Sequence, residues 1–357
     1  MPYFFAFFIA FLLCYVFTQI TIRLAFKYGF VDNPARKHGA IIHSNIVPRA
    51  GGVPVYLATL LTVLLFANFF FSIGANIKNL IGIFFAGILV VVLGTIDDKY
   101  EVSPKVRLLF MFVFALLVVG FGIGVNFISN PLGGVFRLDL ITLNFDFNNS
   151  IHKIVILADI VALVWIVSMM NIVNWSSGLD GQNAGISVIA FMVLGFASLR
   201  SGNVSESSAL LSFILSGAYF GFLMFSRYPQ KIMPGFGGST FSGFMIAVIS
   251  IMSGVKIATA VIVLAIPILD AGWVFVRRLW RKQNPMKNDR THLHHYLLDI
   301  GWSKQRIAIF YWIISAVLGI LVLQANSLMK IYAFVIIFFL FIFGVLWLQR
   351  TLRSSKH

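Results

Sequence analysis

The chain has 357 residues, 59% of them hydrophobic and 11% charged, with a mean hydropathy of +0.93. Soluble domains run at roughly 45–50% apolar and ~25% charged residues, which excludes a soluble globular enzyme, and high hydrophobicity likewise excludes a disordered chain. A single cysteine, Cys14, rules out a disulfide framework, and the formal charge of +15 turns into the question of which side of a membrane carries it.

A bilayer core of ~30 Å takes about 20 apolar residues per helix. Eleven runs qualify, the eighth of them short, so ten or eleven spans are expected. The first, about 3–26, ends in Arg23 and Lys27 without a small-residue cleavage site, which reads as a span and not a signal peptide. Asp32-Asn33-Pro34, Lys37 and Pro48-Arg49-Ala50-Gly51-Gly52 follow, and then a run over about 53–72. The third run, about 79–96, closes on Asp97-Asp98. Two adjacent acids at a membrane edge repel each other and resist burial, so they call for a cation: a divalent metal, a lysine, or a proton shared with a phosphate. The fourth run, about 107–125, opens on Arg107.

The stretch over about 126–152 alternates in Val135–Leu140 and Ile141–Phe145, which predicts a small β-hairpin on the outer face. The fifth run, about 154–173, leads into Asn171, Asn174, Gly178, Asp180 and Gly181. Asparagines three apart share a helix face, and a polar, glycine-rich break at membrane depth survives where it lines a cavity. Runs over about 185–200 and 208–226 come next. Pro234-Gly235-Phe236-Gly237-Gly238-Ser239-Thr240 then opens the short run over about 240–253, where glycines before a helix would leave N–H groups free for an anion.

The ninth run, about 256–276, precedes the most basic loop, which holds Asp289-Arg290-Thr291-His292-Leu293-His294-His295. With no cysteine in the loop and no His-Glu-x-x-His spacing, these histidines suit phosphate better than zinc, and Arg290 adds a fork for bidentate phosphate contact. Runs over about 307–325 and 331–349 complete the chain. If eleven spans alternate sides, 21 of the 27 Lys and Arg fall on one side and 6 on the other. That bias puts the N-terminus outside and the C-terminus in the cytoplasm. All four polar motifs share the basic side. No linker or internal repeat divides the chain, so residues 1–357 read as one all-α, polytopic membrane domain.

Taken together, the motifs resemble those of the polyprenyl-phosphate N-acetylhexosamine-1-phosphate transferases, glycosyltransferase family 4. They lie in family order over about residues 31–306: Asp32-Asn33-Pro34 through Gly52, Gly94-x-x-Asp97-Asp98 with Pro104-Lys105-x-Arg107, Asn171-x-x-Asn174 through Gly181, and Asp289-Arg290-x-His292-x-His294-His295. The resemblance implies transfer of a sugar-1-phosphate from a UDP-amino sugar to polyprenyl phosphate, with release of UMP, as the first membrane step of cell-wall or surface-polysaccharide synthesis. It implies Asp97 and Asp98 as catalytic residues. Lys37, Arg49, Arg107, Asn171, Asn174, Asp180, Gly238, Ser239, Arg290, His292, His294 and His295 would bind substrate. Mg²⁺, or Mn²⁺, is the implied cofactor. The implied partners are the two substrates, membrane lipids and a second copy in a homodimer, with no nucleic acid. The implied location is the plasma membrane, with the site on the cytoplasmic face.

The chain also departs from the pattern. Phe236 stands where the family has a metal-binding aspartate, Ser177 replaces the first Asp of the Asp-Gly-Leu-Asp-Gly run, and Ser226 replaces a polar group expected before Tyr228-Pro229. Metal binding would then rest on Asp98, Asn174 and Asp180. Two other readings compete. A homologue altered or silent in catalysis is favoured by Phe236. A transporter or lipid flippase would use Asp159 and Asp270 within apolar runs, but the lack of an inverted repeat and the crowding of motifs on one face weigh against it.

Overall fold

A computed structural model of the chain describes residues 1–32, 46–125, 127–129, 134–138, 142–147, 150–200, 205–254, 256–283 and 291–354. The first apolar run forms α1 (Pro2–Tyr28), with Pro2 in its first turn and Gly29 in the left-handed conformation at its end, as suits a residue without Cβ. Two short strands, β1 (Val31–Asp32) and β2 (Val47–Pro48), pair antiparallel. Helices α2 (Gly52–Leu65), α3 (Ala67–Ser72), α4 (Ile77–Tyr100) and α5 (Pro104–Gly120) follow.

Strands β3 (Phe127–Ser129), β4 (Val135–Arg137), β5 (Thr142–Phe147) and β6 (Ser150–Val155) come next. The single hairpin expected here is two antiparallel pairs, β3 with β4 and β5 with β6. Alternation marks a strand without naming its neighbour, and here Val135–Arg137 pairs back with Phe127–Ser129 while Thr142–Phe147 pairs forward with Ser150–Val155. Residue 126, 130–133, 139–141 and 148–149 of that stretch lie outside the described residues.

The remaining helices are α6 (Ile156–Trp175), α7 (Gln182–Ser198), α8 (Glu206–Ser226), α9 (Gly235–Met252), α10 (Ile257–Val263), α11 (Ala265–Trp280), α12 (Leu293–Asp299), α13 (Lys304–Gln324) and α14 (Ser327–Ser354). Each of the eleven apolar runs thus coincides with a helix or a broken helix. Among the described residues, seven helices are long and apolar enough to cross a membrane, or eight if α10 and α11 are one bent span. The chain is a predominantly helical, multi-pass membrane protein. The run over 256–276 is not one straight helix, because α10 and α11 meet at 81°. Pro267 explains the break: its ring would strike the carbonyl four residues back, that of Val263, where α10 ends.

Helix α9 lies at the centre, with 89% of its apolar stretch buried, whereas α14 is peripheral at 17%. Lipid is as apolar as leucine, so close backbone approach, more than hydrophobic transfer, holds such helices together. Helix α1 turns Ala6, Ala10, Cys14, Thr18, Thr21 and Ala25 inward, almost all at four-residue spacing. It meets α8 at Gly221, where a Cβ would come within 2.5 Å of the Phe11 carbonyl oxygen. Helices α4 and α9 touch in the same way: a Cβ on Gly94 would collide with the backbone of Gly237. That contact brings the end of α4 against the start of α9.

Candidate active site

The C-terminal ends of α4, α6 and α11 and the N-terminal ends of α5, α9 and α13 converge at one end of the bundle, around a cavity of about 450 Å³. The strands β3–β6 join α5 to α6 at the opposite end. Asp97 and Asp98 sit in the last turns of α4, 4% and 2% exposed. Successive helical residues project about 100° apart, and the two acids go separate ways. Asp97 lines the cavity, and its Oδ2 accepts a hydrogen bond from Arg107 Nη1 at 3.3 Å. Asp98 turns towards α9, where its Oδ1 accepts the Phe236 N–H at 2.9 Å, and Arg49 Nε stands 3.4 Å from the same oxygen. Arg49 also lies 3.7 Å from Asp32.

A carboxylate at a helix N-terminus satisfies an orphan N–H and suits the helix dipole. The glycine-rich loop was expected to offer its N–H groups to a bound anion; the anion it meets is the chain's own Asp98. Gly235, with φ +63°, leaves room for that carboxylate, which a Cβ would strike. Gly238 and Ser239 are buried in helix packing. The Gly238 N–H donates to the Pro234 carbonyl, and its own carbonyl accepts from Tyr219 Oη. The Ser239 hydroxyl reaches Asn174 Oδ1 at 2.6 Å.

Asn171 and Asn174 both line the cavity. The amide of Asn171 donates to the Val167 carbonyl of its own helix at 2.8 Å, while Asn174 bonds across to α9. Asp180, in the turn after α6, also lines the cavity and accepts the Gln230 N–H at 3.3 Å. The histidine cluster closes the site from the far side. Asp270, buried on α11, accepts the Leu293 N–H at 2.7 Å and holds His292 Nδ1 at 2.9 Å, so one carboxylate fixes the start of α12 and the ring beside it. The His292 and His294 rings stack nearly parallel at 5.7 Å, and His295 lies 4.3 Å from His294. Gly178 lets the cluster reach the α6 turn, since a Cβ there would come within 2.5 Å of His294 Nε2.

The structure therefore brings together Arg49, Asp97, Arg107, Asn171, Asn174, Asp180, His292, His294 and His295 around one cavity. It places Asp98 behind the wall, and Gly238 and Ser239 within the packing. Lys37 and Arg290 lie outside the described residues. Arg278 and Lys304 line the cavity as further cations, and Asp32 and Glu101 as further acids. Sequence reading gave Asp270 no place here; a lone acid in an apolar run asks for a partner, but nothing in the spacing points to His292. Asp159 caps α6 at the opposite end, accepting the Val155 N–H at 3.1 Å. Both acids that would have suited a transport pathway are thus occupied at helix starts.

The donor set does not fit a divalent cation of the magnesium class, which takes about six oxygen ligands. Among the described residues no three His, Cys, Asp or Glu side chains gather as ligands. Asp97 is paired with Arg107, Asp98 with Arg49 and a backbone N–H, and Asn174 with Ser239. Phe236 lines the cavity with a ring that offers no ligand, and the Arg107 guanidinium lies 5.1 Å from its centroid.

The family model of glycosyl transferase family 4 matches residues 80–254. The "Probable undecaprenyl-phosphate N-acetylglucosaminyl 1-phosphate transferase" of Bacillus subtilis (strain 168) is 30% identical over 344 residues, 95% of this chain and 89% of the relative. The decaprenyl-phosphate N-acetylglucosaminephosphotransferase of Mycolicibacterium smegmatis is 28% identical, over 81% of this chain and 74% of its own. The undecaprenyl-phosphate alpha-N-acetylglucosaminyl 1-phosphate transferase of Escherichia coli O157:H7 is 25% identical, over 87% and 80%.

Proposed function

Because the chain belongs to glycosyl transferase family 4, we propose that it transfers a sugar-1-phosphate, N-acetylglucosamine-1-phosphate first among them, from a UDP-sugar to polyprenyl phosphate. An oxygen of the acceptor phosphate attacks the β-phosphorus of the UDP-sugar. The bond from that phosphorus to the bridging oxygen breaks, UMP leaves with the oxygen, and a polyprenyl-diphospho-sugar remains. The observation that carries this reading is the cavity at one end of an apolar bundle, where Asp97 and Asp180 face arginines and stacked histidines. Phosphoryl transfer is mostly positioning and charge stabilisation, and this lining supplies both.

In this reading Asp97 takes up the proton carried by the acceptor phosphate, and Asp98 holds Arg49 and the start of α9 in place. Arg107 and Arg49 bind the reacting phosphates. His292, His294 and His295, with Arg290 and Lys37, bind the nucleotide diphosphate, and Asn171, Asn174 and Asp180 bind the sugar nucleotide. Ser239 acts by positioning Asn174, and Gly238 by letting α9 lie close against α2 at Gly52. An apolar groove of about 420 Å³ on the lipid side of α4, lined by Tyr56, Ile88, Val92 and Ile96 with Lys99 at its edge, supports an acceptor with a long prenyl tail.

Residues 1–357 act as one polytopic unit in the plasma membrane, with eleven spans, the N-terminus outside and the cavity on the cytoplasmic face. The 21-to-6 split of Lys and Arg supports that orientation. Purified full-length protein given undecaprenyl phosphate and UDP-N-acetylglucosamine, with and without Mg²⁺, should release UMP only when both substrates are present. No UMP from this donor, UDP-N-acetylgalactosamine or UDP-glucose would overturn the reading.

A further inference from the structure

We infer that this chain binds the donor diphosphate with fixed guanidinium charge, Arg107 held on the Phe236 ring foremost, and carries no divalent cation of its own. The inference rests on the transferase reading for its substrate, but its core concerns the charges already in the cavity.

Each carboxylate that a metal would need already faces a cation or a donor with one oxygen, while Asp97 Oδ1 and Asp98 Oδ2 are buried without a hydrogen-bond partner. Arg107 sits 3.3 Å from Asp97, and Arg49 sits 3.4 Å from Asp98. The remaining oxygen of Asp98 is buried and turned against Gly235, whose Cβ it would strike, and not towards the cavity. Asn174 Oδ1 accepts from the Ser239 hydroxyl and Asp180 Oδ2 from the Gln230 N–H. A divalent ion among these groups would have to displace a guanidinium and then face it at short range.

The wall at Phe236 is built for the guanidinium instead. Its ring lies 5.1 Å from Arg107 Cζ, a distance at which an aromatic face attracts a cation. Ring and carboxylate grip Arg107 from two sides, which leaves its free N–H groups for a phosphate. A planar fork is the side chain best matched to phosphate oxygens, and a preorganised cation at the transferring phosphoryl group supplies the stabilisation such a reaction needs. Arg49, Arg278 and Lys304 surround the same space. Phe236 is thus a positioning residue: it acts through Arg107 and does not itself touch the reacting atoms.

The test pairs metal binding with kinetics on the full-length protein. Mn²⁺ titrated into wild type, with and without UDP-N-acetylglucosamine, and followed by electron paramagnetic resonance, should show no stoichiometric site. Phe236→Asp should acquire one. UMP release by wild type should persist in excess EDTA. Phe236→Leu, which keeps apolar volume but loses the aromatic face, should lower kcat/KM for the UDP-sugar about tenfold with the melting temperature unchanged, and Phe236→Tyr should restore it. Stoichiometric Mn²⁺ uptake by wild type that Asp98→Asn abolishes would overturn the inference, as would UMP release that stops in EDTA and returns with Mg²⁺, or a Phe236→Leu kcat/KM equal to wild type. Absence of UMP under every condition would instead strike the transferase reading, and the Mn²⁺ titration would still decide whether the chain holds a metal.

Discussion

Asp97 and Asp98 are neighbours in the chain and differ in what surrounds them, so their amides should fail differently. Asp97→Asn removes an acid that lines the cavity and should lower UMP release about a hundredfold, the scale of a lost general base, with the melting temperature nearly unchanged. Asp98→Asn leaves Arg49 only the more exposed Asp32 and weakens the charged anchor of α9. A buried hydrogen bond to a charged group is worth about 1.5–3 kcal/mol, and the bond from Asp98 to α9 is buried whereas that from Asp97 to Arg107 is only part-buried, so this variant should melt at a lower temperature as well as lose activity. Equal melting temperatures for the two would remove the distinction. A second test falls on Asp270, which holds both His292 and the Leu293 N–H. Asp270→Asn should raise the Kd for the UDP-sugar about tenfold or more while leaving polyprenyl phosphate binding intact, as isothermal titration would register. That the acids and histidines belong together was legible from the side of the membrane their motifs share. Which acid faces the cavity was not, because a helix turns adjacent residues about 100° apart and only the packing decides which direction is inward. Asp270 was illegible for another reason: its partner lies 22 positions on in sequence, across a loop that no periodicity spans.

The helices were the most legible elements, since a run of about 20 apolar residues has few other ways to satisfy its backbone in lipid. Their interruptions were less so. Pro267 carried the signal for the α10–α11 break, but composition alone smooths over one residue in a long apolar run. The hairpins failed as pairings and not as strands, because alternation identifies a strand without identifying its neighbour. Helix contacts are set by small residues, and α1 against α8 is the clearest case. Gly221→Leu would force a side chain into the Phe11 carbonyl. Overpacking of this kind costs about 1–3 kcal/mol, so the variant should lose several degrees of melting temperature in detergent. Gly120→Leu, where a Cβ would meet nothing within 4 Å, should lose none.

On the scale of the whole molecule, the convergence of helix ends from α4, α5, α6, α9, α11 and α13 demands that the cavity open on a single face. Cysteines introduced by Ser103→Cys, Ser177→Cys and Thr291→Cys, in a Cys14→Ala background, should react with an impermeant thiol reagent only from the cytoplasm. Ser129→Cys, in the strands at the other end, should react only from outside. Labelling of Ser177→Cys from outside would invert the proposed orientation.

The bond that ties α9 to α4 is made by the main chain of residue 236 and not by its side chain. Any amino acid other than proline can donate that N–H, so the bond itself does not depend on which side chain stands there. Architecture and chemistry are therefore separable at this position. A lineage could exchange one means of neutralising phosphate for another in a single substitution, and the bond that seats α9 on Asp98 would remain.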